Sequence, residues 1–262
     1  MNKFGDNRRY GIPGPPGRDA FDMAGWTPEA LLKMFYESID CNFYFKTETD
    51  GIWYDKKRQP IGLLNHGNSN FNATCLSHFY KPAHIRGKFY ALPFDHTIYK
   101  ISNIGTAVIQ STIIFVAFTF KVSKKMEPGT DYTIFTNNTG SRGIVISSET
   151  INILGAQNRQ ELTYDPTEWN TILVQWSNVS EGEDHCFYYL NQRRGFFRPR
   201  DSKEESHDLY IGGHPERGEC APIYLTRFIT YKREWLATEP EDYLLPKEIC
   251  ELVLNDIMVS DM

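Results

Sequence analysis

The fold is decided by the stretch Trp169-Asn170-Thr171-Ile172-Leu173-Val174-Gln175-Trp176. Successive side chains of a β-strand point to opposite faces, so Ile172, Val174 and Trp176 share one face of this segment. The segment from Thr112 to Val122 alternates in the same way. Both stretches therefore predict long strands whose apolar faces pack against a core.

Further strands are predicted at short, regular spacing along the rest of the chain. Gly, Asn, Asp and Pro residues lie between them, as in turns. This organisation is typical of an all-β, antiparallel β-sandwich. Residues 48 to 95 are less regular, and we expect long loops there. The additional predicted strands are Cys41 to Thr47, Tyr132 to Thr136, Gly143 to Ser147, Thr150 to Leu154, Cys186 to Leu190, Gly195 to Phe197, Leu209 to Gly212 and Ile223 to Tyr231.

Two helices are predicted, one on each side of the strand-rich region. Thr27 is a suitable N-cap and Pro28 suits the first helical position, so a helix begins there and runs to about Ile39. Its apolar stripe could form the neck of a trimer or pack on its own domain, and both alternatives stay open. A second helix is predicted from Pro246 to Asn255.

The second half of the chain resembles laminin-G-like, concanavalin-A-like jelly-roll domains, over roughly residues 90 to 255. In that family a tryptophan opens a buried strand, and an Ile-Gly-Gly sequence closes another. The resemblance implies a jelly-roll sandwich and is weak for function. Besides the stretch from Trp169 to Trp176, the matching segments are Cys186 to Asn191, Leu209 to Gly213, Ala221 to Tyr231 and Pro246 to Ile249.

Three Gly-X-Y triplets precede the first predicted helix. They read Gly11-Ile12-Pro13, Gly14-Pro15-Pro16 and Gly17-Arg18-Asp19. The repeat is the composition of a collagen triple helix, in which only glycine fits at the axis. The alternative is a flexible Pro-Gly-rich leader. We expect three units: the end of a collagen-like segment (1–20), a linker or neck helix (21–40) and a laminin-G-like domain (41–262).

Composition and charge exclude some classes of partner. The net charge of −5 argues against a general nucleic-acid or anionic-membrane binder. The longest apolar run, Ile113 to Phe120, is too short to span a bilayer. Met1 to Tyr10 lacks the apolar core of a signal peptide, so we expect an export signal or anchor upstream of this chain.

Cysteines and sequons both favour an extracellular location. The cysteines contain no C-x-x-C pair, so we predict disulfides between distant strands, with one thiol left over that could bridge to another chain. The five candidates are Cys41, Cys75, Cys186, Cys220 and Cys250. N-glycosylation sequons begin at Asn72, Asn137 and Asn178.

Few residues suggest catalysis or metal binding. The acidic segment Glu181-Gly182-Glu183-Asp184 is predicted to lie in a solvated turn, so we do not expect a glycosidase pair of carboxylates there. The resemblance implies that calcium is possible, but the loop acids Asp50, Asp95 and Asp131 show no ligand spacing and no ligands are assigned. The histidines show no zinc spacing. No cofactor is predicted.

The best binding candidate is a run of basic residues in the predicted hairpin. It contains Arg193, Arg194, Arg198 and Arg200, followed by Lys203. A guanidinium group donates two parallel hydrogen bonds to a sulfate or carboxylate, so a sulfated glycosaminoglycan is the predicted ligand. In the alternative, the arginines are solvated or paired with Glu204 and Glu205.

These observations predict a non-enzymatic C-terminal domain of a collagen-like extracellular protein, either secreted or membrane-tethered. Its roles would be to trimerise the chains and to bind a glycosaminoglycan, a cell-surface receptor or another extracellular protein. The partner in assembly would be the chain itself, as a homotrimer. The main alternative is a trimeric viral fibre or capsid head, and a polysaccharide-acting enzyme comes third.

Overall fold

The structure is a computed structural model, and it describes twelve segments of the chain. They comprise residues 27–37, 41–47, 51–67, 71–77, 83–85, 89–102, 112–158, 160–177, 186–200, 208–216, 219–234 and 247–258. The Gly-X-Y triplets lie outside the described residues. Within these segments the fold is all-β, as predicted, with one helix near each end.

The elements are short in the first third of the chain and longer after it. The helices are α1 (Pro28–Tyr36) and α2 (Lys247–Ile257). The strands up to residue 122 are β1 (Cys41–Lys46), β2 (Ile52–Tyr54), β3 (Pro60–Leu63), β4 (Ala73–Cys75), β5 (Ala83–Ile85), β6 (Phe89–Phe94), β7 (Tyr99–Ile101) and β8 (Thr112–Val122). The later strands are β9 (Tyr132–Asn137), β10 (Gly143–Ile146), β11 (Thr150–Leu154), β12 (Gln160–Thr163), β13 (Asn170–Ser177), β14 (Phe187–Leu190), β15 (Arg193–Phe196), β16 (Leu209–Ile211), β17 (Glu219–Cys220) and β18 (Ile223–Glu234).

The strands form two sheets that pack face to face. The first sheet has the order β15-β14-β13-β8-β18-β6-β5, and β1 also pairs with β18. The second sheet has the order β12-β11-β10-β9-β16-β7-β4-β3-β2, with β17 added beside β9. Every described pairing is antiparallel except that of β17 with β9. The architecture is therefore an antiparallel β-sandwich.

The main core lies between the sheets and uses one face of each long strand. Alternate residues of β8, namely Val116, Phe118 and Phe120, are completely buried in it. From β13, Ile172 and Val174 point the same way. The alternation read from the sequence therefore identifies the core face of both strands correctly.

The opposite face of the first sheet is also buried, because the two helices cover it. Phe115 and Ala117 of β8, together with Leu173 of β13, pack there against the helices. As a result every residue of β13 is buried, including its polar ones. The helix residues that supply the cover are Leu31, Phe35, Ile249, Cys250, Val253, Leu254 and Ile257.

One carboxylate, that of Asp256, ties both helices to the first sheet. The hydroxyl of Tyr36 in α1 donates to Asp256 Oδ2 at 2.7 Å. From β18, Nη1 of Arg227 donates to the same Oδ2 and to the backbone oxygen of Asp256, both at 2.9 Å. Close by, the hydroxyl of Thr119 donates to the carbonyl oxygen of Ile257 at 2.7 Å. The end of α2 is therefore held by hydrogen bonds as well as by apolar packing.

Both predicted helices are present. Thr27 Oγ1 accepts the N–H of Ala30 at 3.2 Å, which confirms the N-cap, although the helix ends at Tyr36. Its apolar residues Leu31 and Phe35 are buried against the sandwich, so α1 packs on its own domain. None of the helices in the described segments is long and apolar enough to cross a membrane.

The region from residue 48 to 95, where long loops are expected, also contains short strands that the sequence did not predict. The described parts of this region contain β2 to β6. Most of these strands have only three or four residues, and β3 includes Pro60 and Gly62, which lower strand propensity. Strands this short carry too little local alternation to predict them, and β4 and β6 also pair with strands outside this region, β7 and β18.

We predict that Asp256→Ala destabilises the protein by about 2 kcal/mol, because it removes the acceptor for both Tyr36 and Arg227. Urea unfolding followed by circular dichroism would measure the change. The slope of the free energy of unfolding against urea concentration should be the same in the variant and the wild type. The control is Glu251→Ala on the same helix. Within the described segments the Glu251 carboxylate forms its ion pair with the exposed Lys247, so this substitution should lower the free energy of unfolding by less than about 0.5 kcal/mol. Equal losses in the two variants would contradict this role for Asp256.

Candidate functional site

The basic run lies on the β14–β15 hairpin, at one edge of the first sheet. Leu190 pairs with Arg193, so a two-residue turn joins the strands. Asn191 takes a positive φ of 55° in this turn, a conformation that asparagine tolerates well. Its side-chain Oδ1 accepts the N–H of Thr171 at 2.8 Å, and its own N–H donates to Thr171 O at 2.7 Å. The hairpin is therefore anchored to β13 at its tip.

Arg194 lies over three aromatic rings. Its guanidinium carbon is 4.7 Å from the ring centre of Phe196, 5.3 Å from that of Phe187 and 5.6 Å from that of Tyr189. Phe187 and Tyr189 are buried, whereas Phe196 is 43% exposed. Cation–π attraction holds the guanidinium group in this position and leaves its N–H groups available at the surface.

Arg198 and Arg200 follow the hairpin on a segment that joins the two sheets. Arg198 O accepts the N–H of Gln157 at 2.8 Å, and Arg200 N–H donates to Gly155 O at 2.8 Å. Like Arg193 and Arg194, both arginines are exposed. The structure thus brings four of the five predicted basic residues to one margin of the sandwich. The fifth, Lys203, lies outside the described residues.

Carboxylates lie near this margin without forming ion pairs to three of its arginines: besides burial, Glu248 and Glu251 of α2 are close enough to Tyr189 to raise its pKa. No ion pair joins any of the described carboxylates to Arg193, Arg194 or Arg200. Glu204 and Glu205, the partners in the alternative interpretation, lie outside the described residues. The margin therefore presents guanidinium donors that an anionic ligand could use.

Beneath Arg194, the hydroxyl of Tyr189 is buried and has no hydrogen-bond partner among the described groups. Burial raises the pKa of Tyr189 to about 12, while the positive charge of Arg194 acts in the opposite direction. Tyr189 therefore stays neutral at physiological pH and contributes its ring rather than a charge.

The aromatic part of the site was not predicted from the sequence. Phe187 and Tyr189 alternate along β14, and both face the same side of the sheet as Arg194. In the sequence, their spacing of two residues was the signal that these two rings share one face of a strand. Their position beside Arg194 depends on the register of β14 with β15, which pairs Tyr189 directly with Arg194.

The three predicted glycosylation sites differ in accessibility. The Asn137 side chain is 3% exposed: its Nδ2 donates to Ser141 Oγ at 2.9 Å and its Oδ1 accepts the N–H of Arg142 at 3.1 Å. The folded protein thus has no room for a glycan on Asn137. Asn72 is half-buried, and its Oδ1 accepts the N–H of Asn65 at 2.9 Å. Asn178 lies outside the described residues.

None of the five cysteines forms a disulfide bond in the structure. This differs from the disulfides predicted for Cys41, Cys75, Cys186, Cys220 and Cys250. Cys186 shows a physical reason, because it is completely buried and its Sγ accepts the N–H of Ser177 at 3.1 Å. Burial also raises the pKa of Cys186 to about 11, so its thiol remains protonated.

The structure gives no ligand set for the possible calcium ion. No group of three or more acidic, histidine or cysteine side chains in the described segments is arranged to hold a metal. Asp50 and the segment from Glu181 to Asp184 lie outside those segments. Asp95 forms an ion pair with Lys124 instead.

No family model matches this chain, and no curated protein matches it. Among solved structures, the fold is similar to the sialidase of Trypanosoma rangeli in complex with sialic acid, with a TM-score of 0.54 at 9% identity. That match covers 84% of this chain and 33% of the sialidase chain.

Two botulinum neurotoxin structures are similar in the same way. One is the binding domain of neurotoxin DC in complex with SialylT, with a TM-score of 0.53 at 11% identity. The other comes from work on neurotoxin type C, whose cell entry depends on two ganglioside molecules, with a TM-score of 0.51 at 14% identity. Each match covers 84% of this chain and 52% of the toxin chain. At these identities the likeness shows a shared β-sandwich fold and nothing more.

We predict that Tyr189→Phe leaves the free energy of unfolding unchanged or raises it by up to about 1 kcal/mol, because it removes a buried hydroxyl without a partner. Tyr164→Phe is the matched control. The hydroxyl of Tyr164 donates to Ser147 O at 2.8 Å, so its removal should cost about 1 kcal/mol. Urea unfolding of both variants checks the contrast, and a loss in Tyr189→Phe as large as that in the control would refute it.

Proposed function

We propose that this chain is a non-enzymatic binding domain that takes acidic glycans at the β14–β15 margin. The observation that carries the proposal is the guanidinium of Arg194, held over three aromatic rings on the hairpin that also carries the exposed Arg193. The exposed Arg200 lies on the segment that follows this hairpin. A rigidly held arginine loses little conformational entropy on binding. The margin is thus organised for an anion before the ligand arrives.

The ligand that suits this margin carries sulfate or carboxylate groups on a sugar ring. Each guanidinium can donate two parallel hydrogen bonds to such a group. The exposed ring of Phe196 offers an apolar surface for the face of the sugar. The presence of sialic acid, SialylT and gangliosides in work on the similar folds supports an acidic sugar as the class of ligand.

We predict that replacing Arg193, Arg194, Arg198 and Arg200 together by serine weakens binding to heparin or to a sialylated oligosaccharide at least about tenfold, equivalent to 1.4 kcal/mol. Calorimetry at low and physiological ionic strength measures the affinity, since salt screens exposed charges.

The matched control removes the same four charges elsewhere. Lys56, Lys57, Arg58 and Lys125 are all exposed, and their replacement by serine should leave the affinity nearly unchanged. An unaltered affinity in the arginine variant rules out this margin as the site. Equal losses in both variants would mean that only net charge matters.

We also propose that the domain ends a collagen-like shaft in an extracellular homotrimer, with a laminin-G-like jelly roll as its head. The Gly-X-Y triplets from Gly11 to Asp19 support this assembly. Since the apolar residues of α1 pack within the domain, the surfaces between chains would be faces of the sandwich rather than a helical neck. A viral fibre head has the same architecture, and an assay of glycan hydrolysis would test the enzymatic alternative.

We predict a mass of about 91 kDa, three times the 30.4 kDa of one chain, in analytical ultracentrifugation at micromolar concentration. The triplets before the domain and the packing surfaces of the sandwich would act together, because short triple-helical segments are weak alone. A species of 30.4 kDa under these conditions would exclude self-trimerisation by this chain.

A further inference from the structure

The outer face of the second sheet carries a row of side chains with one residue from each of five neighbouring strands. Tyr210 pairs with Lys100, Lys100 with Thr74, Thr74 with Gly62, and Gly62 with Trp53. The residues on either side of them along the strands include Ile101, Leu209 and Ile211, which point into the core. The row therefore faces away from the core, on the sheet that the helices do not cover.

A polar cluster stands at one end of this row. Nζ of Lys100 lies 2.7 Å from Asp208 Oδ2 and 6.0 Å from the ring centre of Tyr210. The ring of His214 also packs edge-on against that of Tyr210, with the ring centres 5.1 Å apart. The N–H of Glu216 donates to His214 Nδ1 at 3.1 Å, so the proton of the neutral ring is on Nε2, 3.0 Å from Asn138 O. The ring of Tyr210 is thus fixed in place.

One hydroxyl of this cluster, that of Tyr210, has no hydrogen-bond partner within the described residues. In the adjoining turn, the side-chain oxygen of Asn138 is buried and has no donor there. The side chains of Lys100 and Asp208 are 30% and 20% exposed, so they are recessed but reach solvent. Although Tyr210 as a whole is only 8% exposed, its hydroxyl can therefore still hydrogen-bond to a ligand beside Lys100 and Asp208.

The charge of the cluster indicates which ligand it suits. One ammonium and one carboxylate cancel, so the cluster does not attract anions as the arginine margin does. A sugar hydroxyl both donates and accepts a hydrogen bond. Neighbouring hydroxyls can therefore donate to Asp208 and accept from Lys100 and Tyr210 at the same time.

We propose that Lys100, Asp208 and Tyr210 form a second binding site, which takes a neutral, hydroxyl-rich oligosaccharide. Strands in a sheet lie about 4.8 Å apart, so Trp53 stands roughly 19 Å from Tyr210 along the row. Gly62 has no side chain beside Trp53, and the hydroxyl of Thr74 is exposed between the two ends. An oligosaccharide lying across the strands meets an aromatic ring at one end and the polar cluster at the other.

This site is independent of the proposed acidic-glycan site, because the two belong to different sheets. The arginines lie at the β15 edge of the first sheet, whereas the row crosses β2, β3, β4, β7 and β16 of the second. The domain would therefore bind an acidic glycan and a neutral glycan separately.

The test is a glycan array of neutral oligosaccharides built from glucose, galactose, mannose and N-acetylglucosamine, followed by calorimetry with the best binder. We expect Tyr210→Phe and Asp208→Asn each to weaken that binding about tenfold. Tyr224→Phe, the same change on a strand of the first sheet, should have no effect, and neither should Arg193→Ser with Arg194→Ser. Thermal melting shows whether each variant is folded.

Two outcomes would overturn the proposal. One is a folded wild-type chain that binds none of these neutral glycans. The other is binding that survives in both Tyr210→Phe and Asp208→Asn but is lost in the arginine variant, since the arginine margin would then be the site. A wild-type chain that binds a neutral glycan but does not bind heparin would instead count against the acidic-glycan proposal alone.

Discussion

Burial of the first sheet on both of its faces is the constraint on which the rest of the structure depends. One face of β8, β13 and β18 meets the second sheet, and the other meets α1 and α2. Polar groups on a doubly buried sheet must find partners within the protein. Thr119 shows how: its hydroxyl donates to Ile257 O and lies 2.8 Å from the hydroxyl of Thr171. The end of α2 therefore satisfies a polar group of this sheet as well as covering its apolar ones, whereas the hydroxyl of Tyr189 has no partner among the described groups.

This arrangement leaves two surfaces for binding. The helical cover stops short of the β15 edge, where Arg194 lies across Phe187 and Tyr189 and the ring of Phe196 is exposed. Neither of the two described helices covers the outer face of the second sheet, and there Tyr210, Lys100 and Asp208 meet. The first surface is cationic and the second is charge-balanced. If both proposed sites bind as we infer, electrostatics would distinguish an acidic from a neutral ligand on one scaffold.

Strands were predictable where they are long and locally alternating. The predicted bounds of β8 and β11 coincide with the observed ones, and β13 begins one residue later than predicted. The strands from β2 to β5 were missed, because three or four residues show a period of two too briefly to be recognised. Thr74 in β4 gains its place by pairing with both Gly62 of β3 and Lys100 of β7. Intrinsic strand propensity predicts little where pairing between strands that are separated in the sequence decides the structure.

The sequence by itself determined the class of fold, the core faces of the long strands, the two helices and the run of arginines. All of these depend on neighbours within a few residues, where side-chain periodicity and capping act. Only the tertiary structure decided that α1 packs on its own sheet, that Asn137 is buried and that Tyr189 lies under Arg194. It alone brought Lys100 to Asp208. Such contacts follow from strand order and register, which join residues that local pattern cannot relate.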